Sequence, residues 1–292
     1  MKISSKHVGA TCKPLEVNVT ARDCMNYAAS IGDDNPLYLN DAADSGIVAP
    51  PMLAVALTWR ISERFLEFWG HADFPYEALA RQVHYSEHLR WERPIRPGDR
   101  LRIEGEVAAI LPHRAGTHLI IAYTAYDAKD AAVFVEHIGG LLRGVACADD
   151  GRGTSHVEAL PQVQEGAACW RRDLHISKLA PYVYDGCANV HFPIHTSPAF
   201  AKSVGLPGII FQGTGTLALA VREITATEAD NNPCRIGAVG ARFTGMVKPD
   251  SNITVCLLAK EKIDGGHQCR FEVLNPNGKP AVSDGCVEIR DE

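Results

Sequence analysis

Residues 208–227 read GIIFQGTGTLALAVREITAT, and this stretch decides the fold. Its part Gly213–Thr227 favours a helix of about four turns with apolar side chains on nearly every face. Residues 46–68, GIVAPPMLAVALTWRISERFLEF, repeat the pattern and predict a second apolar helix over Pro51–Phe68. Helices this apolar are buried in a core, so each half of the chain is expected to carry one central helix.

The two halves match at three places, in the same order along the chain. Such ordered matches indicate an internal duplication. A polar, glycine-bearing and aperiodic stretch between them is typical of a linker. The matched segments are residues 35–38 with 192–195, 46–51 with 208–213, and 89–103 with 241–255. The predicted boundaries are 1–150 for an N-terminal repeat, 151–168 for the linker and 169–292 for a C-terminal repeat.

Each repeat has the same predicted order of elements, a short helix, the apolar helix and then four strands. The strands carry Val, Ile, Thr and aromatic residues in alternation with polar ones. This order predicts an α+β fold in which an antiparallel sheet wraps around a central helix in each of two tandem repeats. The predicted short helices are Ala21–Ile31 and Lys178–Tyr184. The predicted strands are Gln82–Trp91, Arg100–Leu111, His118–Asp127, Ala132–Val145, Ile236–Phe243, Asn252–Glu261, His267–Leu274 and Pro280–Ile289.

The composition excludes several classes of function. The 292 residues are 46% hydrophobic and 22% charged, with a net charge of −6, so we expect no nucleic-acid or membrane partner, since both need a basic face. The longest apolar-leaning run, 47–59, is too short to span a bilayer, and residues 1–17 lack a signal-peptide core. Nine scattered cysteines without C-x-x-C favour a reducing cytoplasm.

The ordering and motifs resemble the double-hotdog form of the MaoC-like acyl-CoA dehydratase/hydratase family, including its R-specific enoyl-CoA hydratases. The family motif is roughly Gly-Asp-x-Asn-Pro-Leu-His, then Ala-x-x-x-Gly, then His-Gly at the start of the central helix. The C-terminal repeat has NVHFPIH at 189–195, AFAKSVGLPG at 199–208 and Gln212-Gly213. The N-terminal repeat has GDDNPLY at 32–38 and then Ala49-Pro50-Pro51, which is similar to the non-catalytic repeat of such proteins.

This resemblance implies a substrate class and a reaction. The substrate would be an acyl thioester of CoA or acyl carrier protein, and the reaction a reversible addition of water across a 2-enoyl double bond, a hydro-lyase activity of fatty acid metabolism. It implies no metal or redox cofactor, a site in the C-terminal repeat, and pairing of double-hotdog chains into a homodimer.

Four residues are the candidates for catalysis. His195 lies where the family's catalytic histidine falls, and an imidazole can take a proton from water and return it to carbon. Gly213 opens the apolar helix, where free backbone N–H groups can stabilise a thioester oxyanion, whereas Pro51 at the matching position has no N–H. Asp185 and His191 lie just upstream and could orient His195 or transfer a proton.

The sequence departs from the family motif at the carboxylate. The position five residues before His195 is Val190, and the family's Asn falls at Phe192. The N-terminal repeat keeps Asp33 but has Tyr38 in place of the histidine, so each repeat holds one member of the pair. A composite Asp33–His195 site is disfavoured, because both members normally come from one copy, but the sequence leaves it open.

Substrate binding is predicted for four further residues. Gln212 replaces the histidine before Gly213 and either binds substrate or caps the helix. The other three residues are Asn189, Lys202 and Arg242, and the two basic ones are expected to contact CoA phosphates. A metal site is not predicted: His191 and His195 have H-x-x-x-H spacing, but Pro193 between them disfavours a helix and no third ligand follows. Cys187 is a weak alternative nucleophile.

Three functions remain in competition. The first is the acyl-CoA hydratase/dehydratase. The second is a non-catalytic acyl-thioester-binding subunit, suggested by Val190 and Phe192. The third is altered chemistry on the same scaffold, such as thioester hydrolysis or hydration of a branched or dicarboxylic acyl-CoA.

Overall fold

Antiparallel strands and two central helices make up most of the fold. The computed structural model describes residues 1–70, 73–157 and 168–291, so most of the linker predicted at 151–168 lies outside the described residues. The strands are β1 Lys2–Ile3, β2 Leu15–Asn18, β3 Gln82–Trp91, β4 Arg100–His113, β5 Gly116–Tyr126, β6 Ala132–Arg143, β7 Ala146–Cys147, β8 Trp170–Ile176, β9 Ile236–Phe243, β10 Ser251–Ile263, β11 Gly266–Leu274 and β12 Pro280–Arg290. The helices are α1 Ala21–Ser30, α2 Pro36–Leu39, α3 Leu53–Glu63, α4 Phe65–Trp69, α5 Ala180–Ala188, α6 Pro198–Ser203 and α7 Gly213–Glu228.

The large sheet is a palindrome of the two repeats. Its ten strands run β2-β4-β5-β6-β3-β9-β12-β11-β10-β8, so the order of the first five is mirrored in the second five. Strands β3 and β9 pair antiparallel at the centre, with His88 opposite Gly240. These two residues are also equivalent in the repeat alignment, which places them on a pseudo-twofold axis. The predicted α+β double-hotdog fold is thereby confirmed.

The central helices follow from the apolar runs, with one difference in the first repeat. Helix α7 begins at Gly213 as expected and is buried along most of its length. The single helix predicted over Pro51–Phe68 is instead two helices: α3 begins only at Leu53, and Arg64, with φ −109° and ψ 40°, separates it from α4. Leu53 and Ala54 donate to the Pro50 and Pro51 carbonyls three residues back, so the chain makes a tight turn through the prolines before the α-helix begins.

The short helix before the site is also displaced from its prediction. Helix α5 runs Ala180–Ala188 rather than 178–184. Pro181 suits its first turn because a proline there lacks only an N–H that would have no helical partner. The helix ends where Asn189 adopts a left-handed conformation with φ 56°. Of the helices in the described part of the chain, none has the length and apolar character to cross a membrane.

A pair of buried acids lies in the core of the first repeat. Glu87 of β3 and Glu136 of β6 are both 0% exposed. His84 Nε2 lies 3.1 Å from Glu87 Oε2, and the Glu136 carboxyl lies near the Thr58 hydroxyl and the Glu87 carboxyl. Burial raises the pKa of Glu87 to about 8, and burial together with the Glu87 charge raises the pKa of Glu136 well above its usual range. The pair is therefore expected to hold protons at neutral pH.

This pair makes stability depend on pH. Between the unfolded pKa near 4.5 and the folded value of about 8, the folded chain binds more protons than the unfolded one, so the free energy of unfolding falls as pH rises. Glu136→Gln removes one titrating group. The fall in the free energy of unfolding between pH 5.5 and 7.5 should then be smaller by up to about 1.4 kcal/mol per pH unit. Urea titrations at each pH measure it. The exposed Glu92→Gln is the control, and an unchanged slope in Glu136→Gln would contradict this assignment.

Candidate active site

The start of helix α7 offers a site for a developing negative charge. Its N-cap residue Gln212 makes no side-chain capping hydrogen bond, and the first backbone N–H groups of a helix have no intrahelical acceptor. Gly213 allows close approach, although the space beside it is limited: a Cβ at this position would lie 3.0 Å from Phe243 Cδ1. In the first repeat Pro51 occupies the matching position, so that half cannot offer the same donor.

His195 is held in one tautomer next to this helix start. It ends a short 3₁₀ helix, Pro193–His195, and its Nδ1 lies 2.9 Å from the carbonyl oxygen of Ile210. A carbonyl oxygen only accepts, so Nδ1 carries the proton and Nε2 keeps its lone pair. Burial lowers the pKa of His195, against opposing effects of the Ile210 carbonyl and the Asp185 charge. At neutral pH the ring is thus uncharged and competent as a base.

Asp185 and His191 lie on the α5 side of His195. Asp185 is near enough that its charge raises the pKa of His195, and its Oδ2 lies 3.8 Å from His191 Nε2. His191 is half exposed, with Nδ1 3.7 Å from Glu63 Oε1, and its carbonyl accepts a hydrogen bond from Trp59 Nε1. The structure therefore brings Asp185 and His195 into one electrostatic neighbourhood and places His191 at its outer edge.

The two residues that depart from the family motif lie in different settings, Val190 in the core and Phe192 43% exposed. Val190 is 4% exposed and packed in the core, so it cannot hold water. Phe192 packs edge-on against His195 with ring centroids 6.3 Å apart. Asp33 lies elsewhere: it accepts from the backbone of Asn35 and lies in the field of Arg222. Because no contact of Asp33 reaches His195 within the described chain, the composite Asp33–His195 site gains no support.

The predicted substrate-binding residues divide into two groups. Gln212 is buried, with Nε2 donating to the Pro181 carbonyl at 3.0 Å, and its Oε1 has no partner in the described chain. Asn189 and Lys202 are exposed, as a left-handed helix cap and in the last turn of α6. Arg242 is paired with Asp284 at 2.7 Å and bonded to the Val157 carbonyl. Since side chains alternate along a strand, Arg242 points away from the face that carries Phe243.

Two features of this region have no counterpart in the sequence motifs. A hydrogen bond of 3.0 Å joins the hydroxyls of Tyr27 and Tyr184, and Tyr184 donates to Thr214 Oγ1 at 3.2 Å, which ties both short helices to the start of α7. His84 of β3 packs on Phe243 with ring centroids 4.5 Å apart. One sequence signal was available for the tyrosine pair: Tyr27 and Tyr184 occupy equivalent positions in the two repeats.

The tyrosine pair gives a test of how the start of α7 is held. Tyr184→Phe removes two hydrogen bonds and leaves two buried hydroxyls unpaired, so we expect it to cost about 1–3 kcal/mol of unfolding free energy. Tyr27→Phe leaves the Tyr184–Thr214 bond intact and is expected to cost less. Urea denaturation measures both, with the exposed Tyr182→Phe as control; equal costs for the two buried tyrosines would refute the tie to α7.

One group of side chains elsewhere has the chemistry of a metal site. Ligand atoms of Glu228, His267 and Cys269 lie within 4.8 Å of one another. Both Glu228 oxygens are already engaged, Oε1 by Trp170 Nε1 at 2.8 Å and Oε2 by Lys260 Nζ at 3.2 Å. A cation would have to displace the lysine, so the residues fit a metal poorly. His191 and His195 fit one no better, because their rings are engaged separately.

A double-hotdog sheet with a neutral imidazole beside an uncapped helix start fits a hydro-lyase of the hydratase and dehydratase type. Comparison with known proteins agrees. Residues 174–277 match the family described as MaoC like domain, and residues 6–136 match the FAS1-like, dehydratase domain region. The C-terminal repeat thus carries a MaoC-like domain, and the chain is a hydro-lyase.

Individual relatives cover nearly the whole chain. An enoyl-CoA hydratase of Mycobacterium tuberculosis is 24% identical over 253 residues, which are 85% of this chain and 86% of the relative. The 3-hydroxyacyl-thioester dehydratase Y of the same organism is 25% identical and covers 99% of each chain. The crystal structure of a MaoC-like dehydratase from Phytophthora capsici superposes with a TM-score of 0.82 over 99% of this chain and 98% of its own, at 20% identity, which bears on the fold alone.

Proposed function

We propose that this protein is an acyl-CoA hydratase/dehydratase that adds water to a 2-enoyl thioester, or removes it from a 3-hydroxyacyl thioester, in the cleft between His195 and the start of α7. The observation that carries the proposal is the pairing of a base with an oxyanion site. His195 has its Nδ1 proton anchored on Ile210 and its Nε2 free, and the backbone at Gly213 opens a helix without a side-chain cap. The names of the two M. tuberculosis relatives support the thioester substrate.

The proposed hydration is balanced in atoms and protons. Water adds through its oxygen to C3 of the enoyl group while one of its protons passes to Nε2 of His195. The negative charge moves onto the thioester oxygen, where the N–H of Gly213 stabilises it. The imidazolium then returns the proton to C2, and the ring is neutral again. The reaction forms a C–O and a C–H bond, breaks one O–H bond and one C=C π bond, and needs no net oxidant or reductant, so we propose that it needs neither metal nor redox cofactor.

The first test removes the base. His195→Ala is expected to lower kcat for hydration of an enoyl-CoA by about 100-fold or more, because general-base catalysis contributes about that factor. His175→Ala is the matched control, since His175 lies exposed on β8 with its ring against Asn252. A spectrophotometric assay over a panel of enoyl-CoAs measures both. An unaffected rate in His195→Ala would reject the assignment.

The second test is the pH dependence. The base must be unprotonated to accept a proton from water. Because burial lowers the pKa of His195, kcat/KM is expected to fall only at pH values below the usual imidazole range near 6.5. Asp185 favours the protonated ring, so Asp185→Asn should move this acidic limb to still lower pH. A limb that moves upward would contradict the proposed position of Asp185. Asp173→Asn, on strand β8, is the control.

The same assay separates the competing functions. The apolar Val190 and Phe192 favour a binding subunit, which would bind acyl-CoA without turnover by the purified chain. Thioester hydrolysis would release free thiol, which a thiol reagent detects, whereas hydration leaves the thioester intact. Branched and dicarboxylic enoyl-CoAs in the panel test the remaining alternative, hydration of an unusual acyl-CoA.

Several further properties belong to the proposal. Exposed Lys202 is the better placed of the two predicted basic residues to meet CoA phosphates, because Arg242 is already paired. Gln212 and Asn189 are proposed to line the thioester site beside Gly213. The nine free cysteines favour a cytoplasmic protein. A homodimer of double-hotdog chains is proposed, and light scattering on the purified chain measures its mass.

A further inference from the structure

His84, on strand β3 of the first repeat, lies beside the start of the second repeat's central helix. Its ring is 4.5 Å from that of Phe243, centroid to centroid. Phe243 in turn contacts the backbone at Gly213, where a Cβ would lie 3.0 Å from its ring. The three residues therefore form a continuous contact from the first repeat to the proposed oxyanion site.

The pseudo-twofold symmetry gives an independent check of this placement. In the repeat alignment Pro51, Trp91 and Ile236 are the equivalents of Gly213, Phe243 and His84. These three line one small pocket, whose walls come from both repeats. The same symmetry is expected to bring His84 to the start of α7, where it would provide an imidazole in place of the isoleucine of the first pocket.

His84 and His195 carry their protons on different nitrogens. Burial, and to a smaller extent the His84 ring, lowers the pKa of His195, so His84 is near enough to act on His195 electrostatically. His84 Nε2 lies 3.1 Å from the carbonyl oxygen of Ser86 and 3.1 Å from Glu87 Oε2. The carbonyl only accepts, so Nε2 is the protonated nitrogen and Nδ1 keeps a lone pair. Burial lowers the pKa of His84 to about 4, so the ring is neutral at pH 7.

We propose that His84 acts as the second acceptor for the attacking water, in place of the carboxylate that Val190 has replaced. One O–H of the water donates to His84 Nδ1 and the other to His195 Nε2, which orients the oxygen toward C3. The proton that leaves the water passes to His195 and returns to C2, so His84 stays neutral throughout. This inference rests on the proposed hydratase function and adds a catalytic residue from the other repeat.

The test compares two substitutions at His84. His84→Phe keeps a ring but has no acceptor, and kcat for hydration should fall about 100-fold with KM within about 3-fold. His84→Asn can place an amide oxygen close to the former Nδ1, and it should recover at least about 10-fold over His84→Phe. His88→Phe is the control, because His88 lies on the same strand but packs against His137 and His156. Circular dichroism of each variant confirms that it is folded.

The outcomes separate this inference from the function on which it rests. If wild type shows no turnover over the enoyl-CoA panel, the hydratase proposal fails. If wild type is active, His195→Ala is inactive and His84→Phe keeps its rate within 2-fold, only the role of His84 is overturned. A large loss in Asp185→Asn alone would assign the water to Asp185 instead.

A second measurement needs no activity at all. Long-range ¹H–¹⁵N NMR of histidine-labelled protein distinguishes the tautomers of a neutral imidazole. His84 should carry its proton on Nε2 and His195 on Nδ1 at pH 7, with the His84 signal identified by its loss in His84→Phe. A proton on His84 Nδ1 would remove the proposed acceptor and refute the inference.

Discussion

Antiparallel pairing between β3 and β9 is the contact on which the rest of the structure depends. It joins the two five-stranded halves into one ten-stranded sheet and places His88 and Gly240 on the pseudo-twofold axis. Each repeat would otherwise expose a strand edge with unpaired N–H and C=O groups. The same pairing sets His84 of one repeat beside Phe243 of the other, so the interface that completes the sheet also builds the wall of the proposed active site.

The symmetry of this interface makes the difference between its two clefts informative. Where the second repeat has Gly213, the first has Pro51, which takes away a backbone donor. Where the second has His195, the first has Tyr38, which is 1% exposed and packed inside the protein. The first repeat therefore contributes prolines at this position, and the second has the groups proposed to handle charge at the thioester.

Prediction from the sequence succeeded where a residue acts through local geometry. The apolar run after Gly213 predicted helix α7, and alternating residues predicted β3 and β9 at their observed bounds. It was wrong about the single helix over 51–68, because the chain breaks the helix at Arg64, where no glycine or proline marks the break in the sequence. It offered no reason to consider His84, since nothing in the local pattern of β3 distinguishes a cleft histidine from any other strand residue.

The sequence by itself determined the duplication, the two central helices, the alternating strands, and the absence of the usual carboxylate at Val190. These depend on residue type and spacing along the chain, which local backbone preferences convert directly into helices and strands. The tertiary structure alone decided the tautomer of His195, the pairing of Tyr27 with Tyr184, and the approach of His84 to the second repeat. Each of these contacts joins atoms that are far apart in the sequence and come together only on folding, so no local sequence pattern predicts them.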